Sequence, residues 1–205
     1  GGAGQVWKCH DLTLNIEVAL KVLLTDTSDS AKKRFQTEAQ ALASIKHKNI
    51  VGILDFGESK SGEVYMVMEY VSGIDLKQHI SEKGRLSVEE TLDIVSQICD
   101  GLRNAHRRKL IHRDIKPSNI LITRDNKNNN LVKIVDFGAA KKLETGQDQT
   151  SSGSVIGTPL YMSPEAARGK KVDSRSDIYS LGCVIFECLT GAPPFRGDTA
   201  HETVM

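Results

Sequence analysis

The stretch LIHRDIKPSNILIT, residues 110–123, sets Asp114, Lys116 and Asn119 between two runs of leucine and isoleucine. A chain that buries those runs must find partners for the three polar groups, because an unpaired charge in a dry interior is very costly. A second polar group follows at a definite place. NILIT and LVKIV read as two short strands, and RDNKNNN between them reads as a solvated hairpin tip. Asp136 opens the tripeptide DFG at the end of the second strand. Folding the hairpin back brings Asp114, Asn119 and Asp136 to one place, which outlines a site for a hard cation. Magnesium keeps several waters, takes one or two protein carboxylates and draws further oxygens from a phosphate substrate. Asp136 and Asn119 suit that count and leave Asp114 to accept a proton from a hydroxyl. Lys116, two residues beyond Asp114, can lie on the same side of an extended loop and neutralise charge on a transferring phosphoryl group.

The rest of the chain supplies a setting for such a site. GQVWKC and IEVALKVLL read as two antiparallel strands, IVGILDFGE and EVYMVMEYV as two more joined by the turn SKSG. Between these pairs, SAKKRFQTEAQALASIKHKN places Phe35, Glu38, Leu42 and Ile45 on one helical stripe. A strand-rich first part with one helix therefore ends near Tyr70. From Ser87 the pattern turns helical. Ser87 and Glu90 have capping-box spacing, and Val88, Leu92, Val95, Cys99 and Leu102 form an apolar stripe, predicting a helix over about 88–108. Residues 138–159 lack periodicity and are long for a connection inside a compact domain, which marks a functional or disordered loop. DIYSLGCVIFECLT is apolar on nearly every face and runs into Gly191, a C-cap residue, so a buried central helix is expected.

Two charged residues of the first part make sense together. Lys21, flanked by apolar residues in VALK, points either to solvent or to an anion. Glu38, a carboxylate on the apolar stripe of a helix, must be protonated, exposed or paired with a cation. A Lys21–Glu38 pair that holds the lysine against an anionic ligand explains both. The opening GGAG is an ordinary turn or a loop that wraps backbone N–H groups on phosphates.

Composition sets the outer limits. The 205 residues carry 27 basic and 26 acidic side chains, so no global field draws nucleic acid or an anionic membrane. Cys9, Cys99, Cys183 and Cys188 form no CxxC pair and are expected to be reduced, buried thiols. No apolar run is long enough for a membrane span, and no signal peptide opens the chain. The chain begins on GGAGQVW without methionine and stops at HETVM, where a helical pattern has just begun, so it is expected to be a fragment.

HRDIKPSN at 112–119, DFG at 136–138, VALK at 18–21 and SPE at 163–165, in this order, resemble the eukaryotic-type protein kinase family. The wording GTPLYMSPEAARG and LTGAPPFRGDT looks most like its bacterial serine/threonine branch. The resemblance implies an α+β, two-lobed fold: a small antiparallel-sheet N-lobe with one helix over about 1–70 and a mainly helical C-lobe over about 71–205, truncated at both ends. It implies transfer of the γ-phosphate of Mg-ATP to serine or threonine hydroxyls of proteins. By that resemblance Gly1, Gly2 and Gly4 belong to a glycine-rich loop over the phosphates. Val6 and Ala19 lie above the adenine and Leu121 below it. Met68 is the gatekeeper, the backbone of Glu69 to Val71 bonds the adenine, and Asp75 contacts the ribose. Lys21 holds the phosphates and pairs with Glu38, Asp114 is the catalytic aspartate beside Lys116, and Asn119 and Asp136 bind magnesium. Leu42, Leu54, His112 and Phe137 form a stacked spine anchored by Asp177, with His112 a packed residue rather than a general base.

The resemblance also implies regulation. Arg113 before Asp114 marks a type in which a phosphate on the activation loop pairs with the arginine, the candidate acceptors being Thr145, Thr150, Ser151, Ser152 and Ser154. Thr158 is expected to contact Asp114 and Lys116. Glu165 is expected to pair with an arginine outside these residues, and, buried without it, to cost about 3–5 kcal/mol. Partners are then ATP, magnesium and protein substrates, with no nucleic acid and no membrane contact by this segment; the sequence specifies no oligomeric state. The expected location is cytoplasmic, alone or as the cytoplasmic part of a longer, membrane-anchored chain. A pseudokinase scaffold and a small-molecule kinase are the competing readings. The presence of Lys21, Asp114 and Asp136 weighs against the first, and the GTPLYMSPE segment against the second.

Overall fold

β-branched and aromatic residues in GQVWKCHD and IEVALKVL build strands β1 (Gly4–Asp11) and β2 (Ile16–Leu23), paired antiparallel with Val6 opposite Lys21 and Lys8 opposite Ala19. The Asp11 carboxylate closes the hairpin by accepting the Thr13 and Leu14 amides at 2.8 and 2.9 Å, and Asn15 takes a left-handed conformation (φ 54°) that asparagine tolerates. This is a computed structural model, and it describes residues 4–23, 36, 39, 40, 42–137 and 159–197. The chain divides into two compact units, Gly1–Ser72 and Gly73–Met205.

In the first unit, β3 (Ile53–Glu58) and β4 (Val64–Glu69) complete a four-stranded antiparallel sheet in the order β1-β2-β4-β3. The expected SKSG turn joins them, with the Ser59 amide on the Glu63 carbonyl at 2.8 Å and Gly62 at φ 86°. Helical residues at Ala39, Gln40, Leu42 and Ala43 lie in the predicted helix, and Ala39, Leu42 and Ile45 are buried. Phe35 and Glu38 lie outside the described residues. Leu54 is a correction. The β3–β4 register breaks between Ile53 and Asp55, so Leu54 is the extra residue of a bulge and is 48% exposed rather than packed into a spine. Ile53, opposite Met68, takes the less exposed position.

In the second unit a short sheet of order β5-β6-β7 joins β5 (Ile74–Asp75), β6 (Ile120–Arg124) and β7 (Asn130–Ile134). Gly73 precedes β5 at a point where a Cβ would sit 2.2 Å from the Ile122 carbonyl oxygen, so only glycine allows this approach. Among the described residues, four helices surround the sheet or follow it in the chain: α1 (Leu76–Lys83), α2 (Val88–Arg107), α3 (Pro164–Ala167) and α4 (Ser174–Thr190). The Gln97 side chain of α2 accepts the Val132 amide at 3.0 Å and donates to the Asn130 carbonyl at 3.1 Å, fastening β7 to the helix. Gly191 ends α4 as expected, left-handed at φ 83°, its amide on the Glu187 carbonyl at 2.8 Å.

Ser87 caps α2 as the sequence predicts, with the Glu90 amide 3.2 Å from Ser87 Oγ, but the box is not closed, because the Glu90 carboxylate bonds His79 and Lys83. The face the helix buries is another matter. Val88, Leu92 and Cys99 are exposed and Val95 half-buried, while Thr91, Ile94, Ile98, Leu102 and Ala105 form the buried stripe. Both series have helical spacing. Thr91 disguises the true one, because its hydroxyl is satisfied within the helix by donating to the Ser87 carbonyl at 2.8 Å and so can be buried. The four cysteines are free as expected, but only Cys183 and Cys188 are buried; Cys99 shares the open face of α2 and Cys9 is half-buried. Nor is α4 buried all round: Ile178, Phe186 and Leu189 are exposed, while its packed face carries Asp177, Ser180 and Glu187. Among the described residues no helix is long and apolar enough to cross a membrane.

Ile98, with no exposed surface, and Leu92, 62% exposed, decide between the two stripes. Ile98→Ala should lower the unfolding free energy by about 2–5 kcal/mol and Leu92→Ala by no more than about 0.5 kcal/mol, measured by urea denaturation.

Candidate active site

The sheet register of the first unit puts Val6, Ala19, Lys21, Met66 and Met68 on one face, since Val6 lies opposite Lys21, Ala19 opposite Met68 and Lys21 opposite Met66. The sequence-predicted Val6, Ala19, Lys21 and Met68 are thus neighbours on a single surface, with Met68 buried. Gly4 opens β1 opposite Leu23. At the end of β4 the Glu69 amide donates to the Gly52 carbonyl at 2.9 Å, and the Gly52 amide donates to Glu69 Oε1 at 2.7 Å. Gly1, Gly2 and Glu38 lie outside the described residues, and with them the Lys21–Glu38 pair.

In the second unit the loop between α2 and the 3-10 turn Pro117–Asn119 is built around buried polar groups. Asp177, on the packed face of α4 and fully buried as a side chain, accepts the His112 and Arg113 amides at 2.9 and 2.8 Å and bonds His106 Nε2 at 2.7 Å. His112 has no exposed surface. Its Nε2 donates to the Val135 carbonyl at 2.9 Å, its Nδ1 accepts the Asp114 amide at 3.2 Å, and its ring lies 4.5 Å from that of Phe137. Both ring nitrogens are engaged in one neutral tautomer. Burial pushes the pKa of His112 below its ordinary value, against the pull of Asp177.

That loop holds Asp114 in a defined setting. Lys116 Nζ lies 2.6 Å from Asp114 Oδ2, and Asn119 Nδ2 donates to the same oxygen at 3.0 Å and to the Asp114 carbonyl at 2.8 Å. Oδ2 is therefore the neutralised oxygen of Asp114. Asn119, buried, spends its amide nitrogen on Asp114, which leaves its side-chain oxygen as the donor for a cation. The Val135 amide donates to the Asn119 carbonyl at 3.0 Å, so the end of the hairpin that carries Asp136 is tied to the Asn119 turn. Arg113 (φ 66°) and Asp136 (φ 58°) both adopt the left-handed backbone, at about 1–3 kcal/mol each, on either side of this cluster. Asp75 and Leu121 lie opposite each other in the β5–β6 ladder, and Asp75 Oδ1 also caps α1 by accepting the Gln78 amide at 2.8 Å.

The segment before α3 is fixed by contacts that the sequence reading missed. Tyr161 Oη donates to Glu187 Oε2 at 2.5 Å, and Ser180 Oγ donates to the Tyr161 carbonyl at 2.7 Å. Burial, then the Glu187 carboxylate, pushes the Tyr161 hydroxyl far above its ordinary pKa. The signal was available, since Glu187 is a carboxylate within an apolar helix, as Glu38 is on its stripe. Glu165 is a correction: it is partly exposed and accepts Ser176 Oγ at 2.5 Å, a bond that holds its carboxyl below the usual range. It is not a buried charge lacking a partner, so the expected penalty of about 3–5 kcal/mol does not arise. Thr145, Thr150, Ser151, Ser152, Ser154 and Thr158 lie outside the described residues.

Among those residues no three His, Cys, Asp or Glu side chains cluster as a metal site. Asp136 and Asn119 carry one carboxylate and one amide oxygen, both hard donors. A concavity of about 410 Å³ on Cys99, Leu102, Arg103, His106, Arg107 and Ile178 involves none of the motif residues.

Comparison with known proteins gives the family and the fold. The protein kinase domain family profile matches residues 1–205. The chain belongs to the protein kinase family. It is 44% identical to serine/threonine-protein kinase PknB of Mycolicibacterium smegmatis, over 97% of this chain and 32% of that protein. It is 42% identical to serine/threonine-protein kinase pkn3 of Myxococcus xanthus, over 98% of this chain and 38% of that one. The chain thus spans about a third of the length of these curated relatives. Among solved structures, Rad53 1–466 in complex with AMP-PNP superposes with a TM-score of 0.80 at 32% identity, over all of this chain and 49% of that one. The kinase fold expected from HRDIKPSN, DFG, VALK and SPE is therefore the fold of this chain.

The depressed pKa of His112 gives a signed pH dependence. The unfolded chain takes up the proton first, so this ring's contribution is complete above about pH 6.5 and is lost as pH falls from there through the folded-state value. Urea midpoints should decline from about pH 7 to about pH 5.5, and His112→Gln, uncharged throughout, should flatten that slope.

Proposed function

We propose that this chain is the catalytic segment of an ATP-dependent protein serine/threonine kinase. The observation that carries the proposal is the setting of Asp114. One of its carboxylate oxygens is paired with the Lys116 ammonium and accepts the Asn119 side-chain amide, and the Val135 amide on the Asn119 carbonyl, at 3.0 Å, ties that cluster to the strand leading into Asp136. The names of the relatives, serine/threonine-protein kinases over the matched region, and the AMP-PNP complex of Rad53 support the same reading.

On this reading Asp114 accepts the proton of a serine or threonine hydroxyl through Oδ1, the other carboxylate oxygen. The bonds to Oδ2 hold the carboxylate in one orientation, which suits a reaction in which positioning matters more than proton abstraction. Lys116 offers its charge to the transferring phosphoryl group. Asn119 and Asp136 hold magnesium, which when bound supplies charge neutralisation at the phosphate oxygens; one carboxylate and one amide oxygen match its demand for few protein ligands. Val6, Ala19 and Met68 offer an apolar surface to the adenine, Lys21 a cation to the phosphates with Glu38 as its partner, and Gly1, Gly2 and Gly4 a backbone loop over them. The backbone from Glu69 to Val71 bonds the base, Leu121 gives it a second apolar contact, and Asp75 keeps one carboxylate oxygen for the ribose. Control by phosphorylation on the segment from Thr145 to Ser154, answered by Arg113, completes the proposal.

The test is phosphate transfer from Mg-ATP to a generic basic protein and to the kinase itself, using the full-length protein, with phosphosites read by mass spectrometry. Asp114→Asn should lower transfer about 10²- to 10⁴-fold, and Asp136→Ala should remove it. A folded wild-type protein that binds ATP yet transfers no more phosphate than Asp136→Ala would favour a nucleotide-binding scaffold instead.

A further inference from the structure

A backbone segment recognises adenine only if its peptide planes are aimed, because the base edge presents one amino donor and one ring-nitrogen acceptor at fixed angles. Glu69 is the last residue of β4, and Tyr70 to Ser72 lie beyond the ladder, where strand pairing no longer sets those planes. Side chains do so instead, from both sides. Toward β3, the Glu69 carboxylate receives the Gly52 amide at 2.7 Å while the Glu69 amide donates to the Gly52 carbonyl at 2.9 Å. Gly52 sits just before the bulge between Ile53 and Asp55, so the carboxylate takes up an amide at the point where the ladder is interrupted. Toward β1, Lys8 Nζ stands 4.4 Å from the centre of the Tyr70 ring and is itself held by Glu17 Oε1 at 2.5 Å. Lys8, opposite Ala19, belongs to the same sheet face as Val6 and Lys21, and the Tyr70 ring meets its ammonium.

We propose that Glu69, through its bond to Gly52, and Lys8, through its stacking on Tyr70, are positioning residues that fix the 69–71 backbone for adenine and thereby set the preference for a 6-amino purine. The inference rests on the reading that this backbone bonds the base. Glu69 then has two separate duties: its backbone meets the nucleotide, and its side chain holds that backbone still. Lys8 restrains the next residue through a cation–π contact, a weaker brace at an exposed site.

The experiment compares binding of ATP with that of purine riboside triphosphate, which lacks the 6-amino group, by calorimetry on the full-length protein. Glu69→Ala should weaken ATP about fivefold, less than the roughly tenfold or more that a charge-assisted hydrogen bond is worth because this bond acts on the backbone and not on the base, and weaken purine riboside triphosphate less than about twofold. Glu69→Gln, which keeps an acceptor oxygen, should recover most of the difference. Lys8→Ala should narrow the preference about twofold, and Lys8→Arg, which also stacks on tyrosine, should restore it. If Glu69→Ala fails to fold, the Lys8 pair, on an exposed side chain, gives the same readout. The proposal is overturned if the variants keep the wild-type preference, or if they lose both nucleotides equally, as a packing defect would. Wild-type protein that binds both nucleotides equally, or neither, overturns the adenine reading and this proposal with it.

Discussion

One buried carboxylate organises the second unit. Asp177 has no exposed side-chain surface and accepts two consecutive backbone amides, those of His112 and Arg113, besides its bond to His106. A charge so placed is tolerable only with its hydrogen bonds complete, and each bond to it is worth about 1.5–3 kcal/mol. The requirement works in both directions. The carboxylate needs the loop in one conformation, and the loop, with Arg113 left-handed, needs the carboxylate to stay there. His112 passes the restraint on to Val135 and, through its other nitrogen, to the Asp114 amide. The position of Asp114 is thus decided by a helix far along the chain, since the bonds from Asp177 span 64 and 65 residues.

The first unit solves its problem by register. Among the described residues, the pairing of β1, β2 and β4 fixes Val6, Ala19, Lys21 and Met68 relative to one another. Because side chains alternate along a strand, a slip of one residue in β2 would turn Ala19 and Lys21 away together. One unit therefore depends on a few directional bonds to a carboxylate, and the other on the period of two in a strand.

Much of this was legible in the sequence, for physical reasons. HRDIKPSN and DFG were readable because polar groups inside apolar runs need an explanation, and the hairpin between them had a clear turn composition. The four strands of the first sheet and the start of α2 were readable because propensity and capping are local. The face buried by α2 was not, because Thr91 looks polar until its hydroxyl is seen on the Ser87 carbonyl. Leu54 was misassigned because a bulge shifts which residue points inward without any proline to announce it. Glu165 found Ser176, a hydroxyl that no motif singled out. Lys8 and Tyr70 are far apart in sequence and meet only through the sheet. Local rules reach the elements; the partners of individual side chains depend on tertiary pairing.

Gln97 has a consequence of another kind. β7 is the outer strand of the sheet β5-β6-β7, and an outer strand offers unpaired N–H and C=O groups to any passing chain. The Gln97 amide occupies one of each, at Val132 and Asn130, as a neighbouring strand would. A single side chain thereby guards against edge-to-edge association, and it does so from a helix that precedes the strand by 33 residues at that contact. Any state in which the hairpin is formed but α2 is not docked lacks that cover and leaves the outer rim open to self-association.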